Sequence, residues 1–379
     1  MKSLKKVFVF FGLCITFEYA ASQAINWHDA ANSGTGALIS SFWNTQHEYF
    51  NEASDSISWG GHYWPQAHAL DVLVDAHLRV GGGQYIPYFD AWLRGVRIAN
   101  GNRWANNYID DMEWIGLAAF RAWKATGNAE FLTVVREVWD GTTDDMDDRN
   151  AAFGIKRAWT DAGGGGLFWE SRRNRHSKNA CANAPAAILA TFLYNEFGNP
   201  DDLYWAKKIY HWQRETLWNP ETGAVYDNIN TNTGAVNTRL IFTYNLGTHI
   251  GAALELYKIT GDVAYLNDAI LTADYTINNV VLADDRNVLR GNRGGDGGLF
   301  RGIFIRYFTN LILLPDLSPE IRARYVSFLK YNGEMLWRQG TGRPKMLFGQ
   351  EWNVSPGERT GLTEHLSGCM LMEALARIN

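Results

Sequence analysis

The sequence predicts an all-α fold, an (α/α)6 barrel or toroid. Six helical hairpins would set a ring of inner helices inside a ring of outer ones. Three observations lead there. Helical periodicity recurs along the whole chain, with no convincing series of strands. Helices that are apolar nearly all round alternate with amphipathic ones, as buried and half-exposed layers require. Short glycine turns alternate with long polar loops, so that the loops gather at one end of the barrel and leave a groove there.

Taken from the N-terminus, Lys2, Lys5 and Lys6 precede an apolar run from Val7 to Phe17 and a small-residue stretch from Tyr19 to Ala24. That is the pattern of a secretory signal, cut after Ser22 or Ala24, and the run is too short to span a bilayer. A lipid anchor at Cys14 is disfavoured, because bulky Leu13 precedes it and it falls inside the apolar run. The expected division is therefore a signal peptide over 1–24 and a single domain over 25–379, secreted or periplasmic, with no membrane association after cleavage.

Twelve helices are expected, over 32–51, 65–80, 84–96, 110–126, 129–141, 177–197, 201–217, 243–259, 262–279, 299–314, 318–334 and 362–377. Over 129–141, Phe131, Val134, Val135 and Val138 form one face with Glu130, Thr133, Arg136 and Glu137 opposite; 262–279 is amphipathic too. The spans 110–126, 177–197 and 243–259 lack a polar face and read as inner helices. Thr126-Gly127-Asn128, Phe197-Gly198-Asn199-Pro200 and Thr260-Gly261-Asp262 are each a glycine C-cap followed by an N-cap. The long connections are 97–109, 142–176, 218–242, 280–298 and 335–361. No linker or composition break divides the chain.

Composition narrows the function. A net charge of -5 over 379 residues argues against nucleic acid and anionic membranes as partners. The 16 Trp and 17 Tyr supply flat rings with polar edges, which suit a hydrated ligand such as a sugar, although core packing alone could account for them. Cys181 and Cys369 sit among small apolar residues and read as buried free thiols. No CxxC or HExxH spacing points to zinc, and neither a metal nor an organic cofactor is implied. A monomer is expected.

Polar and aromatic clusters stand at the starts of the inner helices. They are Tyr63-Trp64-Pro65-Gln66-Ala67-His68, Asp110-Asp111, Lys178-Asn179 with Asn183, Thr243-Tyr244-Asn245, Asp296 with Phe300-Arg301-Gly302, and Thr363-Glu364-His365. In a barrel they converge on one mouth. Adjacent aspartates there can supply the two carboxyl groups of glycoside cleavage, one as acid and one as nucleophile, because neither ionises freely beside the other. Taken alone, such a pair is more often a helix cap. Asp201-Asp202 after Pro200 reads as a cap, and Asp144-Asp145 and Asp147-Asp148 as a solvated acidic turn. His68 and His249 read as core histidines; Trp64, Trp114 and Trp169 suit core and sugar platform equally, and Lys178 and Arg301 suit surface charge and ligand contact equally. A diphosphate-binding DDxxD motif is disfavoured, because Trp114 stands where its last carboxylate belongs.

Asp110-Asp111 before Glu113-Trp114 resembles the paired-aspartate motif of glycoside hydrolase family 76, the endo-α-1,6-mannanases. So do Tyr63-Trp64-Pro65-Gln66-Ala67-His68-Ala69, Gly165-Gly166-Leu167-Phe168-Trp169, Lys178-Asn179, Phe242-Thr243-Tyr244-Asn245 and Phe300-Arg301-Gly302-Ile303-Phe304. The resemblance covers nearly all of the mature chain. It implies an (α/α)6 barrel and a retaining double displacement on α-1,6-linked mannan, with Asp110 as nucleophile and Asp111 as general acid/base. Substrate contacts are expected from Trp64, Gln66, His68, Trp114, Trp169, Lys178, Asn179, Tyr244, Asn245, Asp296 and Arg301. The sequence departs from the family pattern at Leu246, commonly glutamine, and at Ala184-Pro185, where a longer uninterrupted helix is expected. Two alternatives remain at this point: a non-catalytic mannan-binding protein, and a transglycosylase of the same family.

Overall fold

Glycine turns do what the sequence asks of them. Gly127, Gly198 and Gly261 adopt φ of 72°, 68° and 70°, and their amides close back on the carbonyls of Trp123, Tyr194 and Tyr257. This left-handed cap costs a glycine nothing, since it has no Cβ to clash. The next helix is then opened by Asn128, Asn199 or Asp262, whose side chain accepts from the amide of Glu130, Asp201 or Ala264.

The computed structural model describes residues 24–379 apart from 149, 150, 173, 280, 285, 286 and 293. The expected signal segment, all but its last residue, lies outside the described residues. The helices are α1 (Trp27–Phe42), α2 (Tyr63–Val80), α3 (Ile86–Ala99), α4 (Ile109–Thr126), α5 (Ala129–Asp140), α6 (Ala184–Phe197), α7 (Pro200–Thr216), α8 (Thr243–Thr260), α9 (Val263–Asn278), α10 (Phe300–Ile312), α11 (Pro319–Arg338) and α12 (Leu362–Ile378). The even-numbered helices pack in sequence, α2 on α4, α4 on α6 and onward to α12, which returns to α2 and closes the ring. The odd-numbered helices lie outside; α1 seats on α12 and supplies the sixth pair. Close approach within the ring needs small residues. A Cβ on Gly247 of α8 would stand 2.6 Å from the Phe304 Cα of α10, and one on Gly302 the same distance from the Ser367 Cα of α12.

Two expected helices are revised. The first starts at Trp27 rather than 32, because Asn26 caps it through the amides of His28 and Asp29, and it stops at Phe42. Residues once expected to continue it form a hairpin, β1 (Trp43–Asn44) with β2 (Tyr49–Phe50), turning at Glu48 with φ 57°. The expected helix over 177–197 is three pieces: β3 (Ser177–Asn179), a 3-10 turn over Ala180–Ala182, and α6. Pro185 lies in the first turn of α6, where its missing N–H costs nothing, and the helix begins there. Short strands therefore do occur: β3 pairs with β4 (Asn228–Asn230), β4 with β5 (Ala235–Val236), and β6 (Thr341–Gly342) with β7 (Leu347–Phe348). All belong to the long loops that rim the site.

At the far end of the ring, an ion cluster ties four inner helices together. Arg79 pairs with Glu373 at 2.7 Å, Arg121 with Asp71 and Asp75 at 2.5 Å each, and Arg306 with Asp75 at 2.8 Å. With Arg377, all of these groups but Glu373 line a cavity of about 480 Å³. Burial opposes the charge on Asp75, but Arg121 and Arg306 outweigh it and hold the carboxyl far below the usual range. We expect Arg121→Ala to destabilise the protein by about 3 kcal/mol, since it strands two buried carboxylates. Urea unfolding checks this; a loss below about 1 kcal/mol would show that Arg306 alone suffices.

Candidate active site

The inner helices begin at the loop-rich end, and their first residues meet in one cavity of about 540 Å³. From α2 comes Trp64; from α4, Asp110, Asp111 and Trp114; from β3 and the turn after it, Asn179 and Cys181; from α8, Tyr244; and from α10, Phe300. Long loops add His62, Tyr108, Trp169, Asp227, Phe242 and Asp296.

The α4 N-cap is Tyr108, which makes no capping bond through its side chain, so Asp110 and Asp111 are the second and third helical residues and not caps. What fixes the helix start is the neighbouring loop. Ile109 N donates to Trp169 O at 3.0 Å and Ser171 N to Asn107 O at 2.9 Å, a short antiparallel bridge centred on Tyr108 and Glu170. The bridge brings Trp169 Nε1 to 3.2 Å from Asp110 Oδ2, while the Asp111 amide donates to Asp110 Oδ1 at 3.1 Å. Cys181 lines the same cavity. Asp111 has no hydrogen-bond donor to its carboxyl among the described residues; instead it feels the negative charges of Asp110 and Asp296.

The two carboxyls therefore differ. Burial raises both. For Asp110 the rise stops at about 6, because donors from Cys181, Trp169 and the backbone favour its charged form. For Asp111, burial is reinforced by Asp110 and then Asp296, and its pKa lies well above the ordinary value. One turn further on, Glu113 is fully buried and is held protonated by burial and by the charge of Asp110. The arrangement suits an ionised group beside a protonated one.

Aromatic walls flank the pair. Tyr244 stacks on Phe300 with ring centroids 4.0 Å apart, and Phe242 meets Phe300 edge-on at 5.4 Å. Tyr108 leans on Trp169 at 5.1 Å, and Trp64 lies 6.5 Å from Trp114. Trp64 Nε1 donates to Asp296 Oδ1 at 2.9 Å, which joins α2 to the glycine-rich loop over 294–298.

Of the thirteen residues expected at the site, Asp110, Asp111, Trp64, Trp114, Trp169, Asn179, Tyr244 and Asp296 line the cavity. Five do not, and each has another task. Gln66 is buried and bonds both the amide and the carbonyl of Phe50, at 2.9 and 2.8 Å, so it pins β2. His68 packs beneath Trp64 and Trp114 and is kept neutral by burial and by Arg306. Its ring nitrogens have no protein hydrogen-bond partner among the described residues, so it is a core histidine but not a satisfied one. Lys178 donates to the carbonyls of Thr160 at 2.6 Å, Ala162 at 2.5 Å and Gly165. Asn245 donates to Asp227 Oδ1 at 3.1 Å and so acts behind the cavity wall. Arg301 reaches the carbonyls of Leu289 at 3.1 Å, Gly349 at 3.2 Å and Gln350, with Trp352 against its guanidinium. The neighbour that faces the cavity is Phe300, one residue and about 100° round the helix. Asp227 and Cys181 were missed as site residues: neither stands in a motif, and only the fold brings them to the cavity.

A helical double ring with paired, unlike carboxyls at the head of an inner helix, between aromatic walls, is the apparatus of a glycoside hydrolase. Comparison with known proteins agrees. The family profile of glycosyl hydrolase family 76 matches residues 26–377. The α-1,6-mannanase of this family from Salegentibacter sp. HEL1_6 is 39% identical, with a TM-score of 0.86 over 93% of this chain and 100% of its own. An inactive variant of that enzyme, with two adjacent aspartates changed to alanine and α-1,6-mannotetrose bound, is 38% identical, with a TM-score of 0.87 over 94% of this chain and 100% of its own. A protein from Listeria innocua is 31% identical, with a TM-score of 0.81 over 93% of this chain and 98% of its own. No curated protein sequence matches the chain. The chain belongs to glycosyl hydrolase family 76.

A site built this way costs stability. Folded Asp111 keeps a proton that the unfolded chain releases above about pH 4, so folding is penalised as pH rises past that point, until the raised folded pKa is reached. Asp111→Asn escapes the penalty. We expect it to raise the melting temperature by a few degrees at pH 7 and by much less at pH 4, as followed by circular dichroism. An equal shift at both values would mean that the gain is not electrostatic.

Proposed function

We propose that this protein is a secreted endo-α-1,6-mannanase that cuts the mannan backbone with retention of configuration. The observation that carries the proposal is the unequal environment of the two adjacent aspartates. Asp110, with donors on both carboxyl oxygens, is the ionised nucleophile; Asp111, without donors and beside two other carboxyls, is the acid.

In the first step Asp110 attacks the anomeric carbon while Asp111 delivers its proton to the departing glycosidic oxygen. In the second step Asp111, now a base, takes a proton from water, which displaces the sugar from Asp110. Retention calls for carboxyls about 5–5.5 Å apart, and consecutive residues on one helical turn suit that spacing better than the wider one needed to admit a water. The stacked Tyr244 and Phe300, and Trp64, Trp114 and Trp169, offer apolar faces to sugar rings. The Salegentibacter enzyme supports the substrate: its variant lacking two adjacent aspartates is inactive and binds an α-1,6-mannose oligosaccharide. The basic, apolar and small-residue order of residues 2–24 supports export. Among the described residues, no helix is long and apolar enough to cross a membrane.

The test is digestion of linear α-1,6-mannan, with product sizing and NMR of the first anomer released. Internal cuts and an α-anomer are expected; a β-anomer would rule out retention. Asp111→Asn should lose about 10²–10⁴-fold in kcat on mannan. The same variant should keep glycosylation by an activated aryl mannoside and be rescued by azide to the α-mannosyl azide, whereas Asp110→Asn should form no covalent intermediate and could yield only the inverted β-azide. An α-mannosyl azide from Asp110→Asn in place of Asp111→Asn would exchange the two roles.

The pH profile follows from the same assignment. Activity needs Asp110 ionised, so kcat/KM should fall as pH drops below about 6. It needs Asp111 protonated, so an alkaline limb should appear above that, the two limbs belonging to the pair. A profile flat from pH 4 to 8, measured with one oligosaccharide, would contradict the pairing.

A further inference from the structure

On the α2 side the cavity is bounded by Gly61 and His62, the last two residues before that helix. Trp59 stands just outside it. His62 N donates to Trp59 O at 2.9 Å, so the two residues share one tight turn. Gly60 and Gly61 make that turn with φ of 60° and 77°, and a Cβ on Gly60 would collide with the Glu52 carboxylate. The loop is pinned along its length. Glu52 N donates to Ser58 O at 2.7 Å, Gly60 N to Ser58 Oγ at 3.0 Å, and Asn44 Nδ2 to Ile57 O at 3.2 Å. Leu362 N, at the start of α12, donates to Glu52 O at 2.8 Å.

Trp59 also heads a row of three rings. Tyr49 of β2 backs its indole at 5.8 Å, and His47 stacks on Tyr49 at 5.4 Å with planes 9° apart. The row begins beside the cavity and runs out over the β1–β2 hairpin, yet none of its members lines the cavity. Trp59 and Tyr49 are half-buried and His47 is exposed. Trp59 Nε1, the Tyr49 hydroxyl and the His47 ring nitrogens have no hydrogen-bond partner among the described residues. The core indoles differ: Trp92 donates to Gln66 O, Trp139 to Asp202 and Trp218 to Thr272. The charges nearby are matched, Glu48 with Arg94 at 2.6 Å and Asp55 with Arg359 at 3.0 Å, so the row suits an uncharged, hydroxylated ligand.

We propose that Trp59, backed by Tyr49 and His47, is a distal sugar platform. It takes a mannose ring of the chain that continues past the cavity, and so gives the enzyme its preference for long chains. The proposal rests on the reading of the cavity as the place where α-1,6-mannan is cut. A chain cut internally runs on beyond the reacting pair, and contacts made there can lower the barrier at the bond being cut. A pyranose lays its C–H face on an indole, while its hydroxyls reach the polar edges of the rings. The pinned loop and the backing rings hold the indole in one orientation before the sugar arrives.

The test measures kcat/KM on α-1,6-linked mannose oligosaccharides, from triose to octaose, for wild type, Trp59→Ala and Trp59→Phe. The wild-type value should climb with length, and Trp59→Ala should lower the octaose-to-triose ratio by about tenfold, as loss of one good aromatic contact would. Trp59→Phe keeps a ring and should recover most of the ratio. An indole with a structural role alone would lower both values alike; an unmoved ratio would overturn the proposal. A second readout leaves Trp59 in place and serves also if Trp59→Ala does not fold. In Asp110→Asn/Asp111→Asn protein, hydroxyl-radical oxidation is located by peptide mass spectrometry. Octaose should protect Trp59 several-fold and triose should not, whereas Trp64 inside the cavity should be protected by both. Protection of Trp64 alone by octaose would overturn the platform and leave the cleavage reading standing. Protection of neither would overturn both. Protection of Trp59 by octaose, in a protein whose wild type leaves α-1,6-mannan uncut, would uphold the platform and refute the function.

Discussion

Asp110 and Asp111 share one helical turn in a cavity where burial penalises each charge, and charging one raises the cost of charging the other. A scaffold that presented both carboxyls alike would leave them to share one proton without a preference. The preference comes from donors, and the donors come from elsewhere in the chain. Trp169 reaches Asp110 only because residues 107–109 and 169–171 bridge, and Cys181 enters the cavity only because the chain breaks before α6. The loops are thus as much a part of the chemistry as the helix that bears the aspartates.

The barrel also has an electrical direction. Its inner helices start at the mouth and end at the floor, so their positive dipole ends gather where a carboxylate must be ionised. The negative ends gather where Arg79, Arg121, Arg306 and Arg377 stand. Asp71, Asp75 and Glu373 sit among those arginines and keep the floor from becoming a large excess of positive charge. The same helix polarity that favours ionised Asp110 at one end therefore explains the arginine cluster at the other, and the ion pairs also lock α2, α4, α10 and α12 against one another.

Most of the fold was legible, because the barrel's signals are local. A glycine followed by Asn or Asp marks a helix end and the next start, and an all-apolar helix marks the inner ring; all twelve helices are present. The errors lie where long-range contacts decide. Nothing near residues 43–50 says that Gln66 will pin Phe50 into a hairpin, and Pro185 opens α6 where apolar periodicity alone runs on unbroken. At the site, motif position found eight of the cavity's residues but could not tell which member of a motif faces inward. In Phe300-Arg301 the wall residue is the phenylalanine, and in Lys178-Asn179 it is the asparagine. Asp227 and Cys181 lay beyond reach, since each acquires its role from a contact with α4 or α8 that no local pattern encodes.

The two buried cations show why charge beside a site is a poor guide to ligand contact. A loop that folds inward brings backbone carbonyls with it, and each needs a donor. Lys178 has three N–H groups, and three carbonyls of the 160–165 loop take them all, which leaves none for a sugar hydroxyl. Burial pushes its pKa down to about 8, against the pull of Asp161. Arg301 does the same between the loops over 280–298 and 339–361, and burial brings it down to about 9. Their lowered pKa values arise from burial and not from a catalytic task, and every hydrogen-bond partner of the two among the described residues is a backbone carbonyl of the scaffold. What these cations hold in place is the loop geometry that puts Trp169 and Asp296 on either side of the aspartate pair.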